Sequence, residues 1–254
     1  MKTRQISETS VEPVRPLSLK RRTVLGIGLA ATVLWITAIF LWMQVGVDRW
    51  VLASHTGLRA NEIVAGAGRL ATRYGMSTIV LVYLVYLLCA FRRATLHDGY
   101  RIYLLVILMF AFAGVGGDLL KEIVDRPRPF VEYAAESYAL PLSKSPSFPS
   151  GHATKSVALA LPFLLFITAK DGWHKVVKAL LVILALGVCY SRVMLGAHYA
   201  SDVLAGVGMA LIWVPLVTLL ANKLLARMNS RVLARAVFVW AGILVGLMLF
   251  MTVA

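Results

Sequence analysis

Three short clusters of reactive side chains lie between residues 121 and 202. In chain order they contain Lys121 and Arg128; Ser150, Gly151 and His152; and Ser191, Arg192, His198 and Asp202. Arginine presents a planar fork to phosphate oxygens, and lysine presents a point charge. A Ser-Gly pair before a helix adds free backbone N–H groups that favour an anion. The set as a whole suits a small anion of dense charge, such as a phosphate group.

The histidines add reactivity to this anion site. His198 and Asp202 are four residues apart, so they share a face if a helix begins there. Asp202 then holds one imidazole nitrogen and leaves the other free to attack. His152 remains as a proton donor to a leaving group. Three further histidines have no such neighbours and are assigned no role: His55, His97 and His174.

Each of these residues also has an ordinary explanation. A histidine at a membrane surface is often interfacial, an arginine at a helix end often reaches the headgroups, and Ser-Gly is a common cap. The ordered combination of all three clusters is what favours a catalytic site. Asp118 lies one turn before Lys121 and is expected to pair with it.

Long apolar runs must position these clusters, because 59% of the 254 residues are hydrophobic and only 15% are charged. A bilayer core of about 30 Å takes about 20 helical residues. The uncharged runs are Thr23–Val47, Tyr74–Phe91, Ile102–Gly117, Ser156–Ala169, Ala179–Ser191, Val203–Asn222 and Ala236–Ala254. The sequence therefore predicts an all-α integral membrane protein, with six core helices, a seventh at the C-terminus, and one transmembrane domain at 23–254.

The distribution of charge predicts the orientation. Residues 2–22, 92–101, 170–178 and 223–235 hold sixteen of the 26 Lys and Arg. By the positive-inside rule these segments are cytoplasmic, so all three clusters lie on the outer face. The same rule accounts for the net charge of +14 without nucleic acid as a partner.

The remaining segments carry weaker predictions. Residues 1–22 are expected to form a disordered, polar cytoplasmic tail, and 48–73 either an amphipathic surface helix or a structured connector. Residues 121–149, rich in proline, are expected to be irregular. Cys89 and Cys189 are expected to pack within helices. Gly242 and Gly246 leave the chain a monomer or, through close helix packing, a homodimer.

The clusters resemble the type 2 phosphatidic acid phosphatase superfamily. Its pattern has three parts: Lys, six residues, Arg-Pro; Pro-Ser-Gly-His; and Ser-Arg, five residues, His, three residues, Asp. This chain has each in order, at 121–129, 149–152 and 191–202. The predicted seventh helix departs from the six-helix family core without touching the pattern.

The resemblance implies a role for each matched residue. His198 would be the nucleophile that forms a phosphohistidine, Asp202 would orient it, and His152 would protonate the leaving oxygen and later activate water. The phosphate would be bound by Lys121, Arg128, Ser150, Gly151 and Arg192. The family needs no metal or other cofactor.

The resemblance also implies a membrane lipid phosphate as substrate, in a bacterial inner membrane with the site on the periplasmic face. Undecaprenyl diphosphate, phosphatidylglycerol phosphate, phosphatidic acid and lipid A remain open, with a preference for a polyprenyl diphosphate. A lipid phosphotransferase would use the same site. A lipid-phosphate transporter would need polar residues at mid-membrane in several helices, and the first, second and sixth predicted helices have none that are charged.

Overall fold

The computed structural model describes residues 16–91, 96–133 and 145–228, together with scattered helical positions between 232 and 246. The described segments contain nine helices and no strand. They are α1 Arg21–Met43, α2 Val45–Ser54, α3 Thr56–Ala60, α4 Glu62–Phe91, α5 Leu96–Val124, α6 Pro129–Glu132, α7 Gly151–Phe166, α8 Gly172–Met194 and α9 Ala200–Leu225.

Four segments are long and apolar enough to cross a membrane. They are Arg21–Met43, Arg101–Glu132, Gly172–Met194 and Ala200–Leu225, and the shorter α7 is also apolar. Helix α1 exposes large side chains such as Leu25, Leu29, Ile36 and Phe40 along its length. Such a surface is suited to lipid and would be costly in water.

Helix α7 is the centre of the bundle. It packs against α4, α5, α8 and α9, and α9 packs in turn against α1 and α5. The contact of α7 with α9 is close, because a Cβ added to Gly206 would lie 2.8 Å from the carbonyl oxygen of Ser150. The start of α7, which carries His152, is therefore fixed against the start of α9.

Helix α4 begins twelve residues before the apolar run that predicted it. Asn61 forms the N-terminal cap, since its side chain accepts hydrogen bonds from the N–H groups of Ile63 and Val64, at 3.0 and 3.2 Å. Arg69 and Arg73 interrupt the apolar run but do not interrupt the helix. The expected connector at 48–73 is thus helical throughout most of its length, as α2, α3 and the first turns of α4.

The N-terminal segment also differs from expectation. Leu17 is buried, its N–H donates to the side chain of Asn222 at 2.7 Å, and its C=O accepts from the same amide at 2.8 Å. The end of the expected disordered tail is thus fixed to α9, because one asparagine satisfies both backbone groups. Residues 1–15 lie outside the described segments.

The remaining sequence predictions have mixed outcomes. Cys189 is buried in α8, as expected, whereas the side chain of Cys89 is outside the described residues. In the proline-rich segment, α5 extends to Val124 and the short α6 follows it, so this segment is less irregular than predicted. The last apolar run is described only at scattered helical positions, and the homodimer stays a prediction.

Candidate active site

The three sequence clusters meet at one end of the bundle. The backbone N–H of Ser150, at the start of α7, donates to the C=O of Asp202 in α9 at 2.9 Å. The ammonium of Lys121, at the end of α5, lies 3.5 Å from the position that a Cβ on Gly151 would occupy. Lys121 therefore lies beside the N-terminus of α7.

A short loop between α8 and α9 places His198. The carbonyl of Arg192 accepts hydrogen bonds from the N–H groups of Ala197 and His198, at 3.0 and 3.1 Å. The chain can turn back in this way because Gly196 has a φ of 68°, a conformation that side chains disfavour. The five residues between Arg192 and His198 thus form this reversal of the chain.

His198 and Asp202 form a buried pair. Nδ1 of His198 lies 3.4 Å from Oδ2 of Asp202, and that oxygen also accepts the N–H of Tyr199 at 3.0 Å. Ser147 donates its hydroxyl to the same carboxylate. The expected pairing of His198 with Asp202 therefore occurs. His198 itself precedes α9, and the two side chains meet because the Asp202 carboxylate is directed back toward the start of the helix, where it caps the backbone.

The second ring nitrogen of His198 faces an arginine. Nε2 lies 3.3 Å from Nη1 of Arg128. Arg128 is itself held by Ser145, whose carbonyl and hydroxyl accept its Nε–H and Nη2–H at 2.8 and 2.9 Å. A cation therefore lies where negative charge would arrive during attack by Nε2.

Burial determines the protonation of His198. It lowers the pKa of His198 to about 4, against the opposing hydrogen bond with Asp202. The ring is consequently neutral at pH 7. With Nδ1–H directed at the carboxylate, Nε2 carries the lone pair, which is the form that a histidine nucleophile requires.

Two buried polar atoms in the site have no hydrogen-bond partner within the described residues. They are Oγ of Ser150 and Nε of Arg192. Ser150 is the cap residue of α7, yet its side chain forms no capping bond. Because buried polar groups are almost always paired in proteins, these two atoms are suited to phosphate oxygens.

His152 and the cations gather around the same point. Lys121, Arg192 and Lys155 lie close enough to His152 for their charges to act on it, and His198 is also a neighbour. The expected pairing of Asp118 with Lys121 is confirmed, because Oδ1 of Asp118 lies 3.7 Å from Nζ of Lys121. All eight residues assigned from the sequence therefore converge, while their catalytic roles stay predictions.

Several residues that support the site were not predicted from the sequence. Thr72 in α4 contacts Oγ of Ser191 at 2.6 Å and accepts from Nη1 of Arg192 at 3.3 Å. Arg126 contacts the far side of Asp202 and forms an ion pair with Asp48. The only sequence signal for Arg126 was its place two residues before Arg128; Thr72 had none, because it stands between two arginines in an apparent connector.

No group of three or more potential metal ligands occurs among the described residues. The set that faces the phosphate position is cationic, and it fits an anion and not a divalent metal. Metal independence stays a prediction from the resemblance.

Comparison with known proteins places this geometry in a family. The pattern of the PAP2 superfamily matches residues 100–226. The chain is 32% identical over 160 residues to phosphatidylglycerophosphatase B of Bacillus subtilis, covering 60% of this chain and 70% of that protein. It is 32% identical over 110 residues to undecaprenyl-diphosphatase BcrC of the same organism, covering 42% and 53%.

Two further comparisons extend this result. Lipid A 1-phosphatase of Rhizobium johnstonii is 36% identical over 112 residues, or 42% of each chain. The chain spans about half the length of the first relatives that it matches. The crystal structure of a transmembrane PAP2 type phosphatidylglycerolphosphate phosphatase from Bacillus subtilis has the same fold, with a TM-score of 0.57 at 23% identity, covering 82% of this chain and 98% of that one.

Proposed function

Because the chain belongs to the PAP2 superfamily, we propose that it is a membrane phosphatase that removes the terminal phosphate of a lipid diphosphate. The observation that carries this proposal is the convergence of a neutral, buried histidine nucleophile with cations at one end of an apolar bundle. The first half of the reaction transfers the phosphoryl group to the protein, and the second half hydrolyses it.

In the first step, Nε2 of His198 attacks the phosphorus, and the bond from phosphorus to the leaving oxygen breaks. His152 gives its proton to that oxygen. The negative charge of the transition state lies on oxygens held by Arg128, Arg192 and Lys121, so catalysis is mainly positioned charge. Asp202 stabilises the positive charge that develops on the imidazole ring.

In the second step, water attacks the phosphohistidine. His152, now neutral, accepts the proton of the water, the N–P bond breaks, and inorganic phosphate leaves with His198 neutral again. No external reductant, oxidant or metal is needed for this balance.

Lys155 favours a diphosphate over a monophosphate. It follows His152 by three residues in α7, so it lies on the same face and about 4.5 Å further along the helix. Its side chain lies against Gly114 in α5, since a Cβ there would be 3.5 Å from Cε of Lys155. Its ammonium lies 5.9 Å from the ring centre of Phe110.

A lysine inside an apolar helix is costly without a partner, and Lys155 forms no ion pair with any carboxylate in the described segments. If the terminal phosphate occupies the three motif cations, the leaving oxygen faces His152. The phosphate that stays on the lipid then lies on the other side of the leaving oxygen, beside Lys155. Among the relatives, BcrC is named as an undecaprenyl-diphosphatase, and a polyprenyl diphosphate is the substrate that we propose.

The test compares two lipids with one tail, farnesyl diphosphate and farnesyl monophosphate, by phosphate release from purified protein. We expect Lys155→Met to lower kcat/KM for the diphosphate about 10- to 100-fold, the value of one charge-assisted hydrogen bond. The monophosphate should lose less than about threefold. Lys155→Arg, which keeps the charge, should restore most of the difference.

The outcomes separate two failures. An equal loss for both lipids would show that Lys155 does not bind a second phosphate. No release from any lipid phosphate by the wild type would exclude the phosphatase itself, and full release by His198→Ala would exclude His198 as its nucleophile.

We propose the membrane topology on charge alone. The N-terminus is cytoplasmic, the helices α1, α4, α5, α7, α8 and α9 cross a bacterial inner membrane, and the site opens on the outer face.

A further inference from the structure

A buried ion pair that includes none of the eight assigned site residues contacts the carboxylate of Asp202. Asp48, in the first turn of α2, and Arg126, after α5, are 1% and 8% exposed, and Oδ2 of Asp48 lies 3.0 Å from Nη2 of Arg126. Asp48 lies outside the segment that matches the family, which begins at residue 100. The roles derived above for the motif residues use neither side chain.

Arg126 connects this pair to the site. Its Nη1 donates to Oδ1 of Asp202 and to Oγ of Ser201, each at 2.7 Å. Ser201 also binds Asp48, because its N–H donates to Oδ1 of Asp48 at 3.1 Å and its hydroxyl donates to Oδ2. One guanidinium thus bridges two buried carboxylates.

Aromatic rings fix the guanidinium in its plane. Its carbon lies 3.9 Å from the ring centre of Tyr199 and 5.3 Å from that of Trp42. Tyr199 is in turn held by a hydrogen bond to Glu132. Stacking of this kind suits arginine and not lysine, since only the guanidinium is planar.

The network leaves Asp202 one orientation. Because Oδ1 is occupied by Arg126, Oδ2 is the oxygen that faces Nδ1 of His198. The N–H of Tyr199 and the hydroxyl of Ser147 hold Oδ2, and Arg126 is the cation that holds Oδ1. With Oδ1 released, the carboxylate could rotate about these remaining contacts, and the ring of His198 could then change its tautomer. The negative charge of Asp48 also offsets the charge of Arg126, which would otherwise withdraw electron density from Asp202.

We propose that Arg126 and Asp48 are positioning residues of the His198–Asp202 pair, acting through the orientation and charge of the Asp202 carboxylate. The inference rests on the proposed function, since it supposes that His198 is the nucleophile. It assigns a catalytic support role to α2, the first short helix after α1.

The test is Asp48→Asn, which keeps shape and removes the charge. By analogy with other outer partners of active-site groups, we expect kcat to fall about 10- to 100-fold with KM changed less than about threefold. In ¹⁵N NMR of histidine-labelled protein, the ring of His198 should shift from a single Nδ1–H tautomer toward a mixture. This signal needs no turnover, so it stays informative if the lipid phosphatase proposal fails.

A double-mutant cycle distinguishes positioning from simple structural support. Asp48→Asn should have little further effect on an Asp202→Asn background, because its action passes through that carboxylate. Glu62→Gln is the matched control, since Glu62 pairs with Arg69 at 3.2 Å but both are exposed on α4. It should change neither kcat nor the NMR signal.

Three results would overturn the inference: full activity of Asp48→Asn, loss of activity with an unchanged His198 tautomer, or an undiminished effect on the Asp202→Asn background. If Asp48→Asn does not fold in detergent, Arg126→Lys is judged by the same measurements. That variant keeps the charge but lacks the planar fork whose Nη1 and Nη2 contact Asp202 and Asp48, so it should show the same loss.

Discussion

At the scale of single residues, the two histidines differ in their surroundings. His198 is 1% exposed and contacts Asp202, Arg128 and Ser147. His152 is partly exposed on the first turn of α7. A fixed, neutral ring suits attack on phosphorus, and a ring with access to solvent suits proton transfer.

This difference predicts how each variant responds to the leaving group. General acid catalysis is worth about 10²–10⁴-fold, and a leaving group of low pKa needs little of it. An aryl phosphate with an acidic phenol should therefore partly restore the activity of His152→Ala and leave His198→Ala inactive. Rapid-quench measurement of phenol release gives the first step directly.

The covalent intermediate supplies the control. Phosphate should be trapped on the protein in His152→Ala and absent from His198→Ala. Rescue of the His198 variant, with label on His152, would mean that the two roles are reversed.

At the scale of elements, the close contact between α7 and α9 sets the geometry of the site. A Cβ on Gly206 would lie 2.8 Å from Ser150 O and 2.9 Å from Oγ1 of Thr154, both on the first turns of α7. Neither atom is the end of a flexible chain, so the helices must separate. The phosphate-binding residues of α7 would then move relative to the Asp202 backbone.

Gly206→Ala should therefore reduce kcat/KM at least about tenfold and lower the thermal midpoint by several degrees. Gly187→Ala in α8 is the control, because nothing lies within 4 Å of its Cβ position. It should be neutral or slightly stabilising, since alanine has the higher helix propensity. Equal behaviour of the two variants would contradict the role given to this contact.

The site was more predictable than the elements around it. Motif spacing predicted His198, Asp202 and the cations, because a catalytic group needs a fixed residue type at a fixed distance along the chain. Asn61 as the start of α4 was missed, since Arg69 and Arg73 interrupted the hydrophobic run. Asp48 was missed because its partner, Arg126, is distant in sequence, and only the folded chain brings them together.

At the scale of the whole molecule, the distribution of Lys and Arg predicts the orientation in the membrane. Single cysteines at Ser143 and Ser7, in a background without Cys89 and Cys189, would report it. An impermeant maleimide added to intact cells should label Ser143→Cys and leave Ser7→Cys unlabelled, because the positive segments stay inside.

Permeabilised cells provide the control, since both positions should then react. Labelling of Ser7→Cys alone in intact cells would reverse the topology. It would also place the site at the cytoplasmic surface, where different lipid phosphates are available.

The packing of α1 on α9 bears on the order of assembly during synthesis. Helix α1 leaves the ribosome first, yet its main partner is the last of the long described helices, and Leu17 is tied to Asn222 across 205 residues. Until α9 inserts, α1 has only lipid beside most of its surface. The start of α9 also carries Asp202, so the step that completes the bundle is the one that completes the active site, and nascent chains that lack α9 should be inactive as well as easily degraded.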